Sequence, residues 1–218
     1  MRLQILEYFV KILKTRIYLN VNITFKYKDG VNVFRIIHTK EENFLFDELW
    51  GDFCEENEMP FLKRDNQVTR YGICDSEKKL IGTIEFDKYQ VGPENKNEYY
   101  YNFSENKYIK YIQNEEIYEI SKLLINRENR GKGFFKQILL ACYDHASNNN
   151  VDWYIGTINK RLYMFARSVG FKILPIDEYF EISDDIIAVP FLLDIQHATK
   201  LLKYSEEFKE ILMYYDKK

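Results

Sequence analysis

The chain has 218 residues, 46% hydrophobic and 30% charged, with a formal net charge of −3. That length supports one sizeable core, and the composition is that of a soluble globular protein. The acidic balance excludes bulk nucleic-acid binding, which needs a strongly basic domain, and no run approaches the roughly 18 apolar residues of a membrane span.

Residues 1–20 read as an amphipathic helix, with Leu3, Leu6, Phe9, Val10, Leu13 and Ile17 at helical spacing. It is expected to pack on the domain or on a second subunit; a membrane-surface helix is the alternative. Glu7 and Lys11 interrupt its apolar run and no small-residue cleavage site follows, so it is not read as a secretory signal and a cytoplasmic protein is expected. Residues 22–28 and 31–37 alternate around Asp29-Gly30, the pattern of a β-hairpin. Thr39 and Glu42 have the spacing of a capping box. The helix they open is expected to run to about Asn57, with Phe44, Phe46, Leu49 and Phe53 inside, and to end at Met59-Pro60.

Strands are expected at 71–74 and 80–86, joined by the polar stretch 75–79. Residues 88–115 form a polar insertion carrying Tyr89, Tyr99, Tyr100, Tyr101, Tyr108 and Tyr111. A loop of that length reads as a flap over an acceptor site or as a solvated surface loop. A strand at 118–125, a helix at 134–148, a strand at 152–156, a helix at 159–169, a strand at 186–193 and a helix at 198–215, inside a C-terminal helical segment 195–218, complete the pattern. No repeat, low-complexity tract or linker interrupts it, so 1–218 reads as one domain. Cys54, Cys74 and Cys142 are odd in number and scattered, which offers neither a disulfide framework nor a zinc site. Cys142 reads as a small core residue. His38, His145 and His197 lack ligand spacing, so no metal is implied.

The most informative run is Arg130-Gly131-Lys132-Gly133-Phe134-Phe135, between an expected buried strand and an expected helix. A glycine turn at a helix start aims backbone N–H groups at an anion. Glycine removes the Cβ from the approach, and Arg130 and Lys132 add charge. The run is neither a Walker A loop nor a dinucleotide fingerprint, which would need glycine at Lys136. The pyrophosphate of coenzyme A or the phosphate of a phosphopantetheine arm fits it; a plain strand-to-helix connection is the alternative.

Downstream, Ser168-Val169-Gly170-Phe171 closes the next helix. Together the two motifs resemble the GNAT superfamily of N-acyltransferases, whose [QR]-x-x-G-x-[GA] opens a helix after the fourth strand. Arg130 to Phe134 match the first five positions, and Phe135 stands where a small residue is usual. Within the superfamily the chain is similar to the acyl-homoserine-lactone synthases and long-chain N-acyl amino acid synthases. Glu119-Ile120-Ser121-Lys122 matches their Glu-x-Ser-Arg except at Lys122. Trp50 and the late run Val189-Pro190-Phe191-Leu192-Leu193-Asp194 also have counterparts there.

The resemblance implies an α/β (α+β) fold, with a mixed, twisted central sheet of about six to eight strands and helices on both faces. It implies transfer of an acyl or acetyl group to a primary amine of a small molecule. The donor would be acetyl-CoA, acyl-CoA or an acyl-carrier-protein phosphopantetheine, without a metal. An acyl carrier protein and a second copy of the chain are compatible partners. A non-catalytic CoA-binding or protein-interaction module with a degenerate site is the alternative. By the same resemblance the pantetheine arm pairs with Leu123, Leu124 and Ile125. The phosphates rest on Arg130, Gly131, Lys132, Gly133, Phe134 and Phe135, and Asn159 completes the donor site. Glu119 is the expected general base; a solvent-facing strand glutamate is the alternative. The family's tyrosine acid falls on Ala166; Tyr163, about one helical turn earlier, can substitute only if the helix is shifted, and otherwise it packs. Lys122, Arg127, Arg130, Lys132, Lys136, Lys160 and Arg161 are expected to make a basic patch at the donor entrance. Trp50, Phe53, Leu123 and Phe171 are expected to wall an acyl channel, which Phe135 either lines or closes.

Overall fold

The protein's structure, a computed structural model, describes residues 34–62, 68–90, 99–205 and 208, all within the unit Val31–Lys218. The expected helix at 1–20, the strand at 22–28, its Asp29-Gly30 turn and most of 206–218 lie outside the described residues. In chain order the elements are β1 (Phe34–Ile36), α1 (Lys40–Glu56), β2 (Thr69–Cys74), β3 (Leu80–Lys88), α2 (Lys107–Ile112), β4 (Ile117–Ile125), α3 (Phe135–Asn149), β5 (Trp153–Asn159), α4 (Lys160–Ser168), β6 (Ile173–Pro175), β7 (Phe180–Ser183), β8 (Ile186–Asp194) and α5 (Ile195–Tyr204). They build a mixed eight-stranded sheet in the order β1-β2-β3-β4-β5-β8-β6, with β7 also on β8. The β4–β5 pair is parallel and the other pairs are antiparallel. A parallel neighbour requires a crossover, and α3 provides it.

Alternate residues of each strand face opposite sides of the sheet. Tyr71, Ile73, Phe86, Tyr154 and Val189 face a main core filled by Ile138, Leu140 and Ala141 of α3, Tyr163 and Ala166 of α4, and Ala198 and Leu202 of α5. On the opposite side Phe46 of α1 packs with Ile37, Cys74 and Leu80. No helix of the described residues is long and apolar enough to cross a membrane.

Helix α1 begins as its sequence dictates. Thr39 Oγ1 accepts from the Glu42 N–H at 3.1 Å, and Glu42 Oε2 accepts from Thr39 N–H at 3.2 Å. Backbone donation from His38 and Thr39 holds the Glu42 carboxyl below the usual carboxylate range. Phe46 is buried as expected, but Phe44 is 66% exposed rather than inside. Two residues along a helix is about 200° of rotation, so the two rings cannot share a face.

The insertion differs from its expectation as a loop. Its described part forms a 3₁₀ turn at Phe103–Glu105 and helix α2. Phe103, Ile109 and Ile112 are buried in a second core with Tyr89, Ile117, Ile155 and Leu192. Tyr101 donates its hydroxyl to Asp177 at 2.7 Å, and Asn106 donates to the Tyr101 oxygen at 2.7 Å and to the Ile176 carbonyl at 3.2 Å. These bonds stitch the insertion to the β6–β7 connection. Strands β6 and β7, of three and four residues, were not expected; runs that short hold no readable alternation.

Beneath α3 lies a fully buried histidine. The His145 ring stacks on Phe86 at 4.0 Å and meets Tyr118 edge-on at 4.9 Å. Tyr154 donates to the Cys142 carbonyl at 3.1 Å, so the 2.7 Å contact to His145 Nδ1 has the ring as donor. His145 Nε2 then carries the lone pair, with no partner among the described residues. Burial pushes the His145 pKa down to about 4. The unfolded chain takes up a proton near pH 6.5 while the folded state does not. Stability is therefore complete above that pH and is lost as pH falls towards 4, by about 3 kcal/mol across the window. Urea unfolding at pH 7 and pH 4.5 should show this loss, and His145→Phe should flatten the pH slope between 4 and 6.5. Parallel slopes for the two proteins would contradict the assignment.

Candidate active site

The site forms where two strands part. β4 and β5 pair at only three positions, Ile117↔Trp153, Tyr118↔Tyr154 and Glu119↔Ile155. Gly156 marks the last close approach: a Cβ there would lie 2.6 Å from the Ile120 carbonyl oxygen. Beyond it, Thr157, Ile158 and Asn159 pair with β8 alone, while β4 continues along β3. A β-bulge bends β4 at the same level. Thr83 pairs with Leu124 and Glu85 with Ser121, so Lys122 and Leu123 share the single residue Ile84. Lys122 adopts φ 49°, a left-handed backbone that is strained for a non-glycine residue. Thr83 Oγ1 clamps it by donating to the Lys122 carbonyl at 2.6 Å.

A cavity of about 370 Å³ fills the gap. Glu119, Ser121, Lys122 and Leu123 line it from β4, and Thr157, Ile158 and Asn159 from β5. Trp50 and Phe53 of α1, with rings stacked at 5.1 Å, wall one end together with Tyr100. Ile138, Leu139 and Cys142 of α3, Phe171 and Leu202 wall the other. Trp50, Phe53, Leu123 and Phe171, expected to shape an acyl channel, therefore meet in one cavity. Phe135 lines it too, edge-on to Phe165 at 4.9 Å.

A charged stripe crosses β2, β3 and β4 on the α1 face. Glu85, with no exposed surface, accepts from Arg70 Nε at 2.8 Å and from Lys122 Nζ at 3.0 Å on one oxygen, and from Ser121 at 3.3 Å on the other. Arg70 Nη1 donates to Asn43 at 2.9 Å and pairs with Asp47 at 3.1 Å. Burial lowers the Lys122 pKa, opposed by the Glu85 charge. Glu119 is buried at the last position where β4 pairs with β5, directly across from the buried Asp87 of β3. Sequence reasoning missed Arg70, Glu85 and Asp87. The signal for the two carboxylates was present: Glu85 and Asp87 alternate with Ile84 and Phe86 in β3, a pattern that puts them on one face.

The glycine turn adopts the conformation its composition suggests. Gly131 has φ 76° and Gly133 φ 89°. A Cβ at Gly131 would meet nothing within 4 Å, so backbone conformation rather than space requires glycine. Helix α3 follows with Phe134 at its N-cap and no side-chain cap bond, since an apolar ring cannot accept from the first-turn N–H groups. Arg130 Nε donates to the Ile125 carbonyl at 2.9 Å, and its guanidinium sits 5.9 Å from the Phe53 ring centre. Lys132 Nζ lies 3.4 Å from Asn129 Oδ1.

The remaining candidates take varied positions. Leu124 and Ile125 are outside the cavity lining, which includes Leu123. Asn159 lines the cavity, and its side chain accepts from Arg161 N–H at 2.8 Å, capping α4. Tyr163 is fully buried outside the lining and accepts from Arg167 at 3.1 Å, whereas Ala166 lines the cavity. Of the expected basic patch, Arg127, Arg130, Lys132, Lys160 and Arg161 are exposed, but Lys122 and Lys136 are buried. Cys142 is half-buried, packed against the main core as expected and also lining the cavity, with its thiol pushed up to about 12 by burial. Among the described residues no group of three His, Cys, Asp or Glu is placed to hold a metal ion.

No protein-family model matches the sequence, and no curated protein matches it. Solved structures do. FeeM, an N-acyl amino acid synthase from uncultured soil microbes, aligns at 15% identity over 78% of this chain and 93% of its own, with a TM-score of 0.55. Apo TofI aligns at 12% identity over 80% and 98%, with a TM-score of 0.59. BjaI, a CoA-dependent acyl-homoserine lactone synthase solved with SAM and isopentyl-CoA, aligns at 14% identity over 78% and 87%, with a TM-score of 0.54. The chain has the GNAT fold. At these identities the likeness is one of fold, and it agrees with the mixed sheet and its helices.

A glutamate in the glycine turn should block an anion by both bulk and charge. Calorimetry should show CoA binding to the parent protein and none to Gly133→Glu, with circular dichroism confirming that the variant is folded. Equal affinities, or no binding to the parent, would remove the turn from the donor site.

Proposed function

We propose that the protein is an N-acyltransferase that moves an acyl group from a CoA or acyl-carrier-protein thioester to a primary amine of a small molecule. The observation that carries this reading is the β4–β5 gap. It joins a buried carboxylate, Glu119, to an apolar cavity at the level of a bulge, in a fold whose solved neighbours include an N-acyl amino acid synthase and a CoA-dependent lactone synthase.

In this reading the pantetheine arm adds to the free side of β4 at Leu123, Leu124 and Ile125, as an extended ligand completes an open sheet edge. The phosphates lie on the N–H groups of residues 130–135. The acyl tail enters the cavity towards Ile138 and Phe171. Glu119 takes the proton from the attacking amine. The exposed Arg127, Arg130, Lys132, Lys160 and Arg161 suit either the phosphates of CoA or an acidic carrier protein. One observation favours a second reading, a CoA-binding module without turnover: Ala166 stands where the family has its tyrosine, and Tyr163 is held by Arg167 away from the cavity.

Glu119→Gln should lower turnover by roughly 10²–10⁴-fold, the usual contribution of acid–base catalysis, with donor affinity nearly intact. Near-parental turnover would eliminate Glu119 as the base. The cavity also makes an expectation for the donor. Each buried CH₂ contributes about 0.8 kcal/mol, so kcat/KM should rise from acetyl through butyryl to octanoyl thioesters, on CoA or on carrier protein. A flat or falling series would leave an ordinary acetyltransferase, and donor binding without turnover of any amine would leave the non-catalytic module.

A further inference from the structure

The proposed reaction leaves a thiolate that needs a proton, and the position of the family's tyrosine is Ala166. We propose that Lys122 is the proton donor to the departing sulfur. This inference rests on the acyltransferase reading above.

Three observations support Lys122. It lines the cavity at the bulge itself, beside Leu123, where β4 is free of β5. Its side chain is fixed: Nζ donates to Glu85 Oε2 at 3.0 Å, and Thr83 clamps its carbonyl. The environment also tolerates loss of its charge, because Glu85 keeps the Arg70 bond at 2.8 Å when the lysine is neutral. A carboxylate paired with Lys122 alone would be left as an uncompensated buried charge.

Four other protic groups of the cavity are less suited than Lys122. Tyr154 already donates to the Cys142 carbonyl, and Tyr101 to Asp177. Burial pushes the Tyr100 hydroxyl and the Cys142 thiol up to about 12, which makes both poor donors to a thiolate. Burial acts on Lys122 in the other direction and lowers its pKa, against the opposing Glu85 charge. The charged and titratable groups facing Lys122 are Glu85 of β3, Arg70 of β2, and Asp47 and Cys54 of α1.

The step balances. The amine nitrogen attacks the thioester carbonyl carbon and its proton passes to Glu119. The C–S bond breaks with its electron pair on sulfur, and the sulfur takes a proton from Lys122 Nζ. Amide and thiol leave, and water returns a proton to Lys122 as Glu119 gives one up.

Leaving-group chemistry tests this. Octanoyl-CoA and the octanoyl ester of thiophenol are compared as donors, with an equimolar mixture of L-amino acids as acceptor. The readouts are thiol release and amide by mass spectrometry. Thiophenolate leaves without a proton. Lys122→Met and Lys122→Arg should each lose roughly 10²–10⁴-fold in kcat with octanoyl-CoA, with donor KM little changed, and should approach parental rates with the thiophenyl ester. Lys122→Arg keeps the buried charge and so guards against a folding defect; it should also lose the alkaline limb of the parental pH–rate profile, since arginine does not titrate there. Equal losses on both donors, or parental rates on octanoyl-CoA, would overturn the role of Lys122 while leaving acyl transfer standing. A parent that releases thiol from neither donor would overturn acyl transfer and this inference together.

Discussion

The structure turns on a sheet that stops pairing part-way along two of its strands. Parallel neighbours normally continue in register once begun, because each abandoned rung leaves an N–H and a C=O without a partner. Here the close approach at Gly156 ends the ladder on one side, and the bulge at Lys122 and Leu123 bends β4 towards β3 on the other. An open inner edge of this kind is a template for an extended ligand. The cavity, the placement of Glu119 and the approach to the glycine turn all follow from that one interruption.

The bulge is costly in two ways. Lys122 holds a left-handed backbone, and its ammonium is buried beside Glu85 and Arg70. Buried ion clusters are often no more stable than apolar residues of similar volume, so stability alone does not explain why a stripe of charge crosses the middle of an apolar sheet. The insertion adds the remaining wall. Its tyrosines frame the α1 end of the cavity, while Phe103 and Ile109 anchor it in a core of its own.

Much of this was legible in the sequence where a local rule acts. The Thr39–Glu42 capping box and the order of β2, β3, β4, α3, β5 and α4 depend on neighbours within a few residues. The meeting of Trp50, Phe53, Leu123 and Phe171 in one apolar wall was also foreseen, although it joins three distant segments. What escaped was set by tertiary context. The insertion looked polar because its few buried residues, Phe103, Ile109 and Ile112, are diluted among exposed tyrosines and lysines. Lys122 was grouped with surface cations because nothing local announces that Glu85, 37 residues away, will bury it. Tyr163 and Ala166 differ by one helical turn, and only the packing of α4 shows which of them reaches the cavity.

The most direct test of the central idea is methyl-resolved NMR of the full chain, with isoleucine and leucine methyls labelled, during titration with octanoyl-CoA. The account expects the largest shifts at Leu123, Ile138, Leu139 and Leu202, with little change at the exposed Ile36 and Ile187. Binding of octanoyl-CoA that leaves the cavity methyls unmoved would contradict the claim that the gap between β4 and β5 receives the donor.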